Sequence, residues 1–179
     1  MSQQSIRLSR SIPVALVSTV GAWLLAACAT TAQTGSSSTL EPAGTHRIVA
    51  VLAASGVQIY VCKRDQNNQL SWAFKAPQAD LYDRTGKLIV KHGAGPSWAA
   101  SDGSRITGKV LQQASNTGDL DSIPSLLLQA TNAGNPGLLS SVSYVQRVHT
   151  HGGMAPSQPC TEEGQEGRSP YLADYVFLK

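Results

Sequence analysis

Glycine and proline are spread along almost the whole chain rather than gathered in one linker. Of 16 Gly and 9 Pro, only Gly21 and Pro13 fall in the first 27 residues. In a helix interior Gly costs about 1 kcal/mol and Pro about 3 kcal/mol relative to Ala, so the spacing leaves little room for a helix of three turns. Short β-prone runs lie between these breaks. Thr45 to Ala54 and Val57 to Lys63 are expected as two strands split by a tight turn at Ser55-Gly56. In the second run Val57, Ile59 and Val61 share one face, and Gln58, Tyr60 and Cys62 the other. After the polar turn Arg64 to Asn68, Leu70, Trp72 and Phe74 alternate with Ser71, Ala73 and Lys75. Lys87 to His92, Arg105 to Leu111, Ser125 to Ala130, Ser141 to Thr150 and Tyr171 to Leu178 complete the set, with turn chemistry at Asp83 to Gly86 and Ser101 to Ser104. Strands of this length and spacing predict an all-β fold: one antiparallel β-sandwich or barrel-like domain over residues 41–179.

The first 27 residues have the three parts of an export signal: Arg7 and Arg10, an apolar run from Ile12 to Ala27, and small residues before Cys28. The run is short for a spanning helix, which wants about 20 apolar residues. Leu25-Ala26-Ala27-Cys28 resembles the bacterial lipobox, in which the cysteine is lipidated and becomes the mature N-terminus. The alternative is a plain signal peptide with Cys28 incidental. Several acyl chains on Cys28 would make membrane lipid the partner of this terminus. Ala29, not Asp, follows the cysteine, and by the enterobacterial sorting rule that points to the outer membrane. Residues 28–40 carry no charge and little to bury, as expected of a flexible tether.

The chain has 14 Lys+Arg against 11 Asp+Glu, and removing the leader with its two arginines leaves 12 against 11. No basic cluster of the kind that neutralises phosphates is present, which argues against nucleic acid as a partner. With Cys28 lipidated, Cys62 and Cys160 remain in an oxidising cell envelope, and the simplest reading is one disulfide. Two buried thiols or a metal pair are the alternatives, although neither cysteine has a CxxC partner.

No motif of a known reaction class is present: no G-x-S-x-G, no P-loop, no H-E-x-x-H. His149 and His151 stand at i and i+2, so an extended strand would put both rings on one side, where a metal ion would need a third ligand that the sequence does not identify. His92 follows the parity of Leu88 and Val90 and is expected to point inward. Trp98 and Asp102 are read as lying on one loop after the Gly95-Pro96 bend, which would let His92, Trp98 and Asp102 form a pocket with Asp102 holding an imidazole N–H. The alternative is a Trp that caps the core and an Asp that bonds its own turn. Gln146 and Arg147 lie on opposite faces of one strand and cannot serve one ligand without a bulge.

Several segments together resemble a known family. They are Gly56 to Cys62, Trp72 to Pro77, Leu81-Tyr82-Asp83, His92, Gly95 to Trp98 and Asp102-Gly103-Ser104, then Ile123-Pro124, Gln146-Arg147-Val148, Gly152-Gly153, Cys160 and Ala173-Asp174-Tyr175. In order and spacing they resemble the bacterial and fungal family catalogued as domain of unknown function 3455, over about Glu41 to the C-terminus. The resemblance implies a small exported protein, and no cofactor is expected, since no dinucleotide fingerprint or βαβ alternation is present. In that pattern the positions of His149 and His151 are commonly other residues, which weighs against a metal site. Two functions are carried forward. One is a non-catalytic envelope lipoprotein that binds a small ligand or an envelope protein. The other is an exported enzyme or metalloprotein with a His/Asp/Trp pocket.

Overall fold

In a computed structural model, residues 40–179 are described. The leader, Cys28 and the tether as far as residue 39 lie outside the described residues. Eight antiparallel strands run in chain order and close on themselves: β1 Ile48–Arg64, β2 Leu70–Tyr82, β3 Leu88–Gly93, β4 Ser97–Ala100, β5 Arg105–Ala114, β6 Ser125–Asn132, β7 Tyr144–Gly152 and β8 Glu166–Leu178. Of the two architectures expected, the barrel is the one formed. Closure of β8 on β1 leaves no sheet edge to protect.

The interior is built by alternation. Leu52 and Ala54 of β1, Ala79 and Leu81 of β2, Val90 of β3, Trp98 of β4, Ile106 of β5, Leu128 of β6, Val145 of β7 and Tyr171, Ala173, Tyr175 and Phe177 of β8 all point inward and form one core. An eight-stranded barrel is just wide enough to be filled by side chains or to hold one small ligand. Outward positions carry Asp80 paired with Lys91 and Arg168 bonded to Gln78, and Lys75, at the bulge in β2, pairs with Glu166. Such a wall faces water more readily than hydrocarbon.

Two expectations are corrected. Ser55-Gly56 is no turn: β1 runs straight through it, with Ser55 opposite Asp80 and Gly56 opposite Ala79. Gly56 is needed because the β2 backbone passes so close that a Cβ would meet Gln78 O at 2.2 Å. Trp98 is not on a loop either, but on the short strand β4, directly opposite His92.

The two ends differ. At one end lie the β2–β3 turn, the β4–β5 turn, and the β6–β7 connection, which drops Leu139 and Val142 into the core. At the other lie the β1–β2 and β3–β4 turns and two long connections, residues 115–124 and 153–165. Cys62 near the end of β1 is bonded to Cys160 in the second of these, 98 residues on. That disulfide, the Trp72 Nε1–H bond to Gln158 O at 2.8 Å and the Tyr60 hydroxyl bond to Gly153 O at 2.7 Å hold the rim in place. The first connection is tied to β7 by Ile123 N donating to Gly152 O at 2.9 Å and Gly152 N donating to Ser122 Oγ at 2.8 Å.

Candidate functional site

Two adjoining cavities of about 220 Å³ and 360 Å³ open at the stapled end. They share Phe74, Val110, Leu126 and Arg147 in their walls. Each side chain arrives there by strand parity. Phe74 is opposite Tyr60, Val110 opposite Leu128, and Arg147 opposite both Leu126 and Tyr175, so each shares the inward face of its partner. Phe74 and Val110 are 57% and 46% exposed, an apolar lip that a filled barrel would not leave to water.

His92 and Trp98 form the floor of the first cavity. Their rings stack at 4.7 Å with planes 10° apart, and Tyr175 packs against both at 5.2 Å and 6.1 Å. Trp98 can lie flat across the barrel because Gly108 faces it: a Cβ there would meet the indole at 2.8 Å. His92 Nδ1–H donates to Ser97 O at 2.9 Å. Burial pushes the His92 pKa down to about 4, against the raising effect of that bond, so the ring is neutral at pH 7.

Asp102 does not join them, and the three-residue pocket is corrected to two. Asp102 sits at the opposite end, in the turn between β4 and β5. Its Oδ1 accepts from Ser104 N at 2.9 Å and Ser104 Oγ at 2.6 Å, and its Oδ2 accepts from Leu138 N at 2.7 Å. Ser104 Oγ in turn accepts from Leu139 N at 3.1 Å. Asp102 therefore latches the connection that carries Leu139 and Val142. Those bonds, Leu138 N–H foremost, hold its carboxyl below the usual range. Its expected place as acceptor for the His92 ring N–H is filled by the Ser97 carbonyl, because His92 and Ser97 flank one tight turn.

His149 and His151 do not converge. A bulge between Val148 and His151 breaks the simple alternation, and His149 takes a positive φ of 49°. His149 bonds Asp174 at 2.9 Å while His151 reaches Asp119 at 3.4 Å. Among the described residues no three His, Cys, Asp or Glu side chains cluster as a metal site would require.

Three polar groups at the cavities stand out, and two of them, Arg147 and Gln58, were not among the expected site residues. Arg147 points inward, while its neighbour Gln146 faces out and donates to Leu40 O at 2.8 Å. Arg147 donates through Nε and Nη2 to Pro124 O at 3.3 Å and 2.8 Å, and it meets no carboxylate among the described residues. Gln58, 2% exposed, lines the larger cavity, and its Nε2 has no hydrogen-bond partner. Trp98 Nε1, in a residue 1% exposed, is also unpartnered. A sequence signal existed for Gln58. Once Cys62 is taken as a core disulfide, the shared parity of Gln58, Tyr60 and Cys62 turns that face inward. Arg147 shows itself only when the inward face of β7 is known.

Residues 42–179 match a protein-family model described as "Protein of unknown function (DUF3455)". No curated protein and no solved structure matches the chain.

Proposed function

The chain belongs to this DUF3455 family, and from that premise we propose that it is an exported, membrane-anchored lipoprotein whose barrel binds a small ligand at its stapled end. The observation that carries the binding part is the pair of adjoining cavities. They have mostly apolar walls and a few polar groups that no protein partner satisfies. A barrel built only for support would fill that volume, as it does around Leu139 at the other end. The neutral, stacked His92 has no nucleophile or carboxylate bonded to it, so the cavity resembles a binding site more than a catalytic one.

Anchoring rests on the lipobox-like Leu25 to Cys28 and the tether after it. The Cys28→Ser chain should leave the membrane fraction or remain uncut; normal processing with unchanged fractionation would remove the anchor from the proposal. Binding is tested with N-phenyl-1-naphthylamine, a neutral apolar dye whose emission rises in dry surroundings. Wild type should enhance it, Val110→Trp at the mouth should lose the enhancement, and Leu172→Trp on the outer wall should keep it. Equal enhancement by all three would assign the dye to the surface and sink the cavity reading.

A further inference from the structure

We propose that the ligand is a hydrophobic monocarboxylate, seated with its apolar body against Trp98, Leu126, Leu128 and Tyr175 and its carboxylate on Arg147. This rests on the cavity reading above and names the chemistry the cavity selects.

Charge complementarity carries it. A guanidinium has five N–H donors; Arg147 gives two to one backbone carbonyl and has the Tyr175 hydroxyl beside it, and it meets no carboxylate among the described residues. Arg147 is half-buried, and a cation partly withdrawn from water gains from a counter-ion. The other titratable groups facing this space are neutral or already partnered. His92 is neutral at pH 7. Lys75 at the rim is already paired with Glu166. The Tyr60 hydroxyl donates to Gly153 O, and the Tyr171 and Tyr175 hydroxyls bond each other at 3.2 Å. Arg147 is therefore the one charged side chain lining the cavities that has no counter-ion among the described residues. Two buried donors near it, Gln58 Nε2 and Trp98 Nε1, are unpartnered as well.

One cation matches a monoanion. A phosphate monoester, with close to two charges at neutral pH, would ask for a second cation. The planar fork of a guanidinium also matches the two oxygens of a carboxylate. Aromatic faces from Phe74, Trp98 and Tyr175 suit a ring or an alkyl chain alike.

The test uses the purified full chain loaded with N-phenyl-1-naphthylamine and competes the dye with 4-phenylbutanoate, its uncharged amide, and decanoate. One or both carboxylates should displace the dye at roughly tenfold or more lower concentration than the amide. Which carboxylate is stronger distinguishes an aromatic acid from a lipid-derived one, and either result supports the proposal. Arg147→Met should abolish the preference and Arg147→Lys should keep part of it, so that a folding defect in the first variant leaves the second to decide. If the dye binds but acid and amide compete equally, or neither competes, the carboxylate is overturned and the cavity stands. A preference that persists in Arg147→Met overturns it too. If the dye does not bind at all, the cavity reading itself has failed.

Discussion

The two ends of this barrel are finished by different chemistry. At the latched end Leu139 and Val142 fall inward and a carboxylate in the next turn holds their backbone in place. The seal is apolar volume, and the polar groups serve only to position it. At the stapled end the disulfide and a ring of long-range hydrogen bonds fix the rim from the outside, and although Ile123 of the first connection joins the core, two cavities remain beside it. Rigidity there is supplied without filling the interior. The same strand parity thus yields a packed core at one end and a cavity with unsatisfied donors at the other. An opening must be held by bonds around it if it is not to collapse.

Breaking the staple should have the largest effect. Loss of the Cys62–Cys160 bond in a Cys62→Ser, Cys160→Ser double variant frees a loop with a sequence separation of 98. The chain-entropy model puts that at about 4 to 5 kcal/mol, a fall in melting temperature on the order of 10 °C or more. Dye binding should fall with it, measured well below the new melting point. Next comes the plug. Leu139, fully buried, should cost about 2 to 5 kcal/mol when cut to Ala, with dye binding at the stapled end kept. Loss of binding in that variant would mean the two ends are not independent.

Acid sharpens the comparison, because the two ends titrate in different ranges. His92 has a folded pKa of about 4 against 6.5 unfolded, so the unfolded chain binds more protons between those values. Its contribution, about 3 kcal/mol, is full above pH 6.5, lost as the pH falls to about 4, and flat below. Asp102 has a lowered folded pKa, so its contribution is present above its ordinary value of 3.8 and lost as pH falls through the folded value beneath it. Denaturant midpoints across pH should show the first loss in wild type and in Asp102→Asn, but not in His92→Gln. Asp102→Asn should show the smallest effect of the series at neutral pH, a modest loss of midpoint, and should lack the second, more acidic fall. The same slope in all three proteins between pH 6.5 and 4 would dismiss the assignment to His92.

How much of this could be read in advance follows from which residues report locally. Alternation in Leu88 to His92 and Tyr171 to Leu178 is a two-residue property, and the strands and the inward His92 were legible from it. The Cys62–Cys160 pairing was legible because only two cysteines remain beyond residue 28. The continuity of β1 was hidden because Ser55-Gly56 has turn composition. Its real constraint is the approach of Gln78, a long-range contact. Pro77 and Pro170 hid the reach of β2 and β8. Each lies beyond the last paired residue on one side, Ala79 with His92 and Tyr171 with Gly152, where a missing N–H is tolerated. Asp102 is four residues from Trp98 in sequence but belongs to the other end. Trp98 lies within the four-residue strand β4 and Asp102 in the turn after it, and only the closed topology tells which end each turn occupies. Arg147 and Gln58 depend on the inward parity of their strands, which the disulfide and the barrel assign together.

The central claim is that ligand enters the stapled end and that the latched end is sealed. Its most direct measurement is amide, indole and methyl NMR shift mapping of the full chain titrated with N-phenyl-1-naphthylamine. Changes are expected at the Trp98 indole N–H, Val110, Leu126, Leu128 and Arg147, with Leu139 and Val142 unmoved. Changes centred on Leu139 and Val142, or confined to outward residues such as Leu172, would contradict it.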